Sequence, residues 1–210
     1  MTTEPAPPKD TTAPQPKQRA SDSFIAYVAD LCANKRIQAE LRTGLGRPVE
    51  RCNYLHRHLV NRLPQQLHPD ARRAHYAVAA LIAARPRAAR DADAQAAREE
   101  PQGPAVERRG RPNLGASLAL AVNQHVIKPD SAEGDLHWMV RQSSAAIHPR
   151  LPALTRHLLT GGVPVDWAVL LEDLTWWDRY RDRISTRWLE SYFRVLTVED
   201  RRAAHNEENN

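Results

Sequence analysis

Cysteine is nearly absent from this chain. Only Cys32 and Cys52 occur, each in an apolar helical context, so there is neither a disulfide framework nor a zinc spacing. Both read as small buried hydrophobes of a reducing compartment. Long apolar runs are also missing: no stretch reaches the roughly eighteen residues that a membrane-crossing helix needs. The polar, Pro-rich N-terminus lacks the apolar segment of a secretory leader. These absences lead us to expect a soluble cytoplasmic chain with no membrane partner. No segment sustains a period-two alternation, which argues against a sheet. Glycine-rich phosphate loops are absent, and Ser117, Ser143 and Ser144 stand in no nucleophile-elbow context. Lysine is scarce too: among 30 basic residues, only Lys9, Lys17, Lys35 and Lys128 are lysine.

What the sequence does contain is helical periodicity. Residues 1–21 are Pro-, Thr- and Lys-rich and are expected to be a disordered tail. Ser21 or Ser23 then offers an N-cap, and Phe24, Tyr27, Val28 and Leu31 recur at three- and four-residue spacing. Further helices are predicted at about 36–43, 50–62 and 69–84, the last with Pro69 as an acceptable first residue. The stretch 86–112 holds charges, Pro, Gly and one large apolar residue, a valine, and reads as a disordered insert. Helices resume after Asn113 and are predicted at about 133–144, 150–160, from the Asp166 cap onward, and at 184–196. Residues 199–210 read as a polar tail. The expected fold is all-α: a helical bundle in two halves, 22–85 and 113–198, without a sheet.

Nine histidines invite a metal or catalytic reading. His56 and His58 are two apart on a predicted helix and therefore face nearly opposite ways. His68 and His75 could face one way, but no carboxylate or cysteine completes a ligand set. His125, His137, His148, His157 and His205 are scattered. We therefore expect no metal, no cofactor and no catalytic constellation, which leaves a hydrolase built on the histidines as a distant third reading. The five tryptophans could stack on bases. Trp167, Trp177 and Trp188 fall on apolar stripes and read as core, while Trp176 sits beside its stripe and is the candidate for partial exposure.

Charge carries more information. Residues 24–85 hold ten Lys and Arg against four Asp and Glu, whereas residues 113–198 hold nine of each. A concentrated basic excess suits an anionic partner such as nucleic acid, and guanidinium forks suit phosphate. A genome that favours Arg over Lys would give the same count. Arg72 and Arg73 fall in the first turn of their helix, where a cation is disfavoured by the dipole and an incoming phosphate would be welcome. Arg42 ends the second helix, where a cation needs no function to explain it. Arg179, Arg181 and Arg183 surround the turn before the last helix, where Asp178 and Asp182 could neutralise them.

Several stretches, in order across about 22–197, resemble the CasB family, the small subunit of the type I-E CRISPR surveillance complex Cascade. They are Ala39-Glu40-Leu41-Arg42 with Gly44-Leu45-Gly46-Arg47-Pro48, then Ala77-Val78-Ala79-Ala80-Leu81. Next come Asn113-Leu114-Gly115-Ala116-Ser117-Leu118 and Leu154-Thr155-Arg156-His157-Leu158-Leu159. Val165-Asp166-Trp167-Ala168 and Leu174-Thr175-Trp176-Trp177 complete the set. The resemblance implies a helical, non-catalytic subunit in antiviral defence. It would sit as a pair with a second copy of itself, contact other Cascade subunits, and stabilise the R-loop of guide RNA and target DNA, including the displaced strand. Arg42, Arg141, Arg156 and Arg179 occupy positions that are basic in the family, and Arg72 matches approximately. His157 stands where a basic residue is common, and the 86–112 insert departs from the pattern. With Arg183 from the charged turn, these arginines form the candidate nucleic-acid surface. The competing reading is a structural helical adaptor that binds only protein partners.

Overall fold

The computed structural model describes residues 19–86, 89 and 111–208, with no side chains described beyond Val198. Among the described residues there are ten α-helices and no strand. They are α1 (Ala20–Ala33), α2 (Lys35–Arg42), α3 (Asn53–Leu59), α4 (Pro69–Ala83), α5 (Leu114–Asn123), α6 (Pro129–Met139), α7 (Ser144–Ile147), α8 (Leu151–Thr160), α9 (Trp167–Thr175) and α10 (Trp177–Glu208). Single 3-10 turns lie at Val49–Arg51 and Val60–Arg62. The all-α expectation holds. The expected N-terminal tail and insert lie largely outside the described residues, as do the side chains of the expected C-terminal tail.

The helix starts follow local chemistry. Asn34 caps α2 by accepting from the Arg36 and Ile37 amides. Asp166 caps α9 in the same way through Ala168 and Val169. Pro69 and Pro129 supply the first residues of α4 and α6, where no amide donor is missed. The sequence places the sixth helix at 133–144, but Pro129 starts it four residues earlier and it ends at Met139. The expected helix at 50–62 divides into α3 and its two flanking 3-10 turns. The first helix begins without a side-chain cap, after Arg19. Ser21, expected as a cap, donates to Glu172 on α9 at 2.7 Å instead.

One helix organises the rest. Residues Val78 to Ala83 of α4 are all buried. Six consecutive positions go more than once around a helix, so this segment has no solvent face. It is enclosed by α1, α2, α8 and α9. Its apolar residues belong to a core that runs from Phe24 and Leu55 through Leu136 to Trp188, so the two halves of the sequence share one interior. Cys52 is buried within it, while Cys32 is only partly buried, contrary to the expectation for both.

In the C-terminal half, α5 packs along α10 at close range. A Cβ at Gly115 would lie 2.0 Å from the Trp188 carbonyl oxygen, so only glycine permits this approach. Asn113 sets the register. Its Oδ1 accepts from the Ala116 amide, capping α5, and its Nδ2 donates to Ser191 Oγ on α10 at 2.8 Å. Ser117 donates to the Pro164 carbonyl at 2.9 Å. The Asn-Leu-Gly-Ala-Ser-Leu segment is thus a packing motif. Asp173 is buried and accepts from Trp188 Nε1 at 2.7 Å and from Arg187. Trp177 is fully buried and donates to the Gln142 carbonyl at 2.9 Å.

One described residue of the expected insert, Arg111, is held by contacts. Arg111 forks onto Asp166 at 2.5 and 2.7 Å and reaches Asp22 at 2.7 Å. It ties the entrance of α5 to the start of α9 and to the first turn of α1. The last helix is the largest departure from expectation. It starts at Trp177, seven residues before the predicted 184, and bends at Tyr180, whose φ of −129° and ψ of 33° are not helical. The charged run 178–183 hid this extension because it shows no apolar stripe.

Candidate nucleic-acid interface

All six singled-out arginines are exposed. Arg42 is the last residue of α2. Arg72 lies in the first turn of α4, and its guanidinium reaches the Gln65 carbonyl at 3.5 Å. Its neighbour Arg73 is held by Asp70 at 3.2 Å. That carboxylate also complements the dipole at the α4 N-terminus, so the site is less electropositive than the sequence implied. Arg141 falls in the turn beyond α6, and its Nε donates to the His137 carbonyl at 3.1 Å. Arg156 projects from α8, while Arg179 and Arg183 lie on either side of the α10 bend. None of the six makes an ion pair among the described residues. No hydrogen bond or ring contact there joins one of them to another.

Several carboxylates are engaged within the fold. Asp178, expected as a neutraliser of Arg179 and Arg181, accepts from the Ser144 amide at 2.8 Å and so caps α7. Asp166 and Asp173 are spent on Arg111, Arg187 and Trp188. Glu40 accepts from His58 at 2.7 Å and pairs with Arg36 at 3.2 Å. The hydrogen bond from His58 is the leading reason its carboxyl stays below the ordinary carboxylate range. These engagements leave the six guanidinium groups without an ion pair among the described residues, although exposed Asp182 lies between Arg181 and Arg183, and a net basic surface attracts polyanions.

Three features escaped the sequence reading. Arg47, Arg51, Arg57 and Arg62 are also exposed. Two of them lie over aromatic rings, Arg57 at 5.8 Å from the Tyr54 centroid and Arg62 at 4.5 Å from Tyr27. The Arg57–Tyr54 spacing of three was visible in the sequence, whereas Arg62 and Tyr27 meet only through folding. Second, Tyr180 stands beside Trp176, with ring centroids 5.9 Å apart, and Arg179 lies 5.3 and 5.9 Å from the two rings. The four-residue spacing of Trp176 and Tyr180 was the available signal. Third, a cleft of about 420 Å³ opens between α6 and α8, lined by Trp138, Met139, Lys128, Arg150 and His157 among others. Arg150 covers the Trp138 ring at 4.6 Å.

The histidines do not converge. His56 bonds Tyr76 at 2.7 Å, His58 bonds Glu40, and His75 and His148 donate to the Ala71 and Ser144 carbonyls at 2.7 Å. Among the described residues no group of three or more His, Cys, Asp or Glu could hold a metal ion. No helix there is long and apolar enough to cross a membrane.

Residues 38–193 match the family model of the CRISPR-associated protein Cse2. Solved structures are similar over nearly the whole described chain. A chain of a "CRISPR RNA-guided surveillance complex, pre-nicking" is 35% identical, with a TM-score of 0.75, covering 88% of this chain and 97% of that one. A chain of a "CRISPR RNA-guided surveillance complex" is 33% identical, with a TM-score of 0.72 and the same coverage. The crystal structure of M. ruber CasB shares the fold at 20% identity, with a TM-score of 0.70, covering 87% of this chain and 97% of that one. The comparison with curated proteins gave no match.

Proposed function

This chain belongs to the CRISPR-associated Cse2 family, and from that premise we propose that it is a non-catalytic small subunit of a Cascade-type surveillance complex. It works in the cytoplasm, in antiviral defence, beside other Cascade subunits and a second copy of itself. It holds nucleic acid through Arg42, Arg72, Arg141, Arg156, Arg179 and Arg183, which contact phosphates of the guide RNA–target DNA R-loop and of the displaced strand. The observation that supports this reading is the division of charge: these arginines are exposed and make no ion pair among the described residues, while Asp178 caps a helix and Asp173 binds a buried indole. Phosphate contacts position without reading sequence, so binding has little sequence preference.

Salt titration of binding to single-stranded DNA tests it. Affinity falls steeply with salt, by roughly one counterion per contact, and each Arg→Ala change lowers that slope by about one. A binding constant unchanged between low and moderate salt overturns the reading. A quadruple charge-reversed variant of Arg42, Arg141, Arg156 and Arg179 separates this function from that of a protein-only adaptor. As a nucleic-acid subunit it still folds but loses the displaced strand. If it assembles and still holds that strand, the adaptor remains.

A further inference from the structure

We propose that Trp176, Tyr180 and Arg179 form a stacking platform for the unpaired bases of a single nucleic-acid strand. The inference rests on the nucleic-acid reading above and adds a base-directed contact that phosphate binding alone does not supply.

The backbone presents the platform rigidly. Trp177 is fully buried and anchored to the Gln142 carbonyl, so its neighbour Trp176 is directed outward. The Tyr180 amide donates to the Trp176 carbonyl at 2.9 Å, which fixes the two residues relative to each other across the α10 bend. Trp176 remains 46% exposed and Tyr180 45% exposed. Their planes are inclined by 48°, so the rings do not cover each other's faces. Single exposed aromatics are ordinary on a protein surface. Two adjacent ones sharing an arginine form an amphipathic patch with a cation at its rim.

The chemistry of that rim selects the occupant. Arg179 has no ion pair among the described residues, and exposed Arg181 and Arg183 follow it on α10 with exposed Asp182 between them, so the run 178–183 keeps three arginines against two aspartates. Asp178, the adjoining carboxylate, is turned to the Ser144 amide. An apolar protein surface would gain little from such a rim, whereas a nucleotide offers a π-face to the rings and a phosphate to the guanidinium groups. Every base has a π-face, so the platform tolerates any sequence, in single-stranded DNA or RNA alike. A duplex keeps its bases stacked internally and cannot use it.

The test compares the full chain binding an oligo-dT strand and an abasic strand of equal length, which has the phosphates without the bases. Trp138 is half-buried and Trp167, Trp177 and Trp188 are buried, so Trp176 is the exposed tryptophan of the five. Oligo-dT quenches its fluorescence and the abasic strand does not. Trp176→Ala or Tyr180→Ala weakens oligo-dT binding by about tenfold without changing the salt slope or abasic binding. Trp176→Phe keeps most of the affinity and controls for folding. Equal loss on both strands, or no loss on either, overturns the platform. So does a Trp176→Ala chain that binds oligo-dT normally but fails to assemble with its protein partners, because the patch then serves a protein. If the chain binds neither strand, the nucleic-acid reading itself fails. If it binds both equally, that reading stands and the platform alone falls.

Discussion

The helices α1–α4 and the helices α5–α10 use their charges for different purposes. In the second group two carboxylates are structural: Asp173 is 2% exposed in its side chain and Asp166 12%, and each holds a guanidinium together with a cap or an indole. All five tryptophans lie in this half. In the first group the carboxylates lie at or near the surface, and Glu40 and Asp70 each serve one arginine and one histidine. That leaves Arg42, Arg47, Arg51, Arg57, Arg62 and Arg72 exposed without an ion pair among the described residues. The C-terminal half is therefore where buried carboxylates specify packing, although Arg141, Arg156, Arg179 and Arg183 stay exposed there too, and the N-terminal half is where basic residues outnumber acidic ones. Substitutions should separate by whether the side chain is held inside the fold or left exposed, into losses of stability and losses of salt-dependent binding.

The sharpest break is expected at Asp173. Its replacement by Ala leaves the Trp188 indole N–H buried with no acceptor and removes the carboxylate that holds Arg187. Leaving that N–H unsatisfied costs about 1–3 kcal/mol, and losing the pair with Arg187, whose side chain is 42% exposed, adds up to about 1 kcal/mol. Urea unfolding should show a clearly lowered midpoint, and a midpoint near wild type would refute the structural role assigned to this carboxylate. Gly115→Ala comes next. The added methyl meets the α10 backbone, which cannot rotate away as a side chain could, so α5 and α10 must separate at a cost of about 1–3 kcal/mol. A crystal structure of that variant should show the two helices further apart beside Trp188.

Arg111→Ala should cost less, about 1–2 kcal/mol, because its bonds to Asp166 and Asp22 are partly solvated. The readout is again the urea midpoint, and Arg111→Lys should recover only part of the loss, since a point charge cannot replace the fork. This contact also marks where sequence reasoning stopped. Helices with an apolar stripe and a local start signal, such as α4 with Pro69 and α9 with Asp166, were legible, and so was the burial of Trp167, Trp177 and Trp188. Partners 55 and 89 residues away from Arg111 were not. The need for glycine at position 115 was not legible, because the carbonyl that requires it comes from Trp188. The start of α10 was hidden because Trp177, its anchor, is followed by charged residues with no apolar repeat. For the arginines, exposure was foreseeable from residue type, but the loss of their acidic partners to caps and buried donors was not.

Single Ala variants of Arg47, Arg51, Arg57 or Arg62 should change stability by no more than about 0–1 kcal/mol. Each should lower the salt slope of single-strand binding by about one. The same change at Arg187, which is held by Asp173, should do the reverse and destabilise the fold while leaving the slope nearly unaltered. If both classes behaved alike, the contrast between the halves would fail.

The smallest effect concerns pH, and both halves contribute. Burial is the main reason that the His75 and His148 imidazoles sit below the ordinary histidine range. Each Nδ1 lies 2.7 Å from a carbonyl, which can only accept, so Nδ1 carries the proton and Nε2 is the basic atom. For His148 that Nε2 is buried with no partner among the described residues, so protonating it would place a second N–H where nothing accepts it. The unfolded chain holds these groups near pKa 6.5 and the folded chain holds them lower. Between the two values the unfolded state binds more protons, so stability rises with pH through that window. The contribution is complete above about 6.5 and is lost as pH falls below it. Glu40, whose carboxyl is also held low, acts in the same direction but at more acidic pH. Melting temperatures measured from pH 8 down to 5 should therefore decline modestly on the acid side. His148→Asn keeps a donor for the Ser144 carbonyl but cannot titrate, and it should flatten the decline. An unchanged slope in that variant and in His75→Asn would assign the pH dependence to other groups.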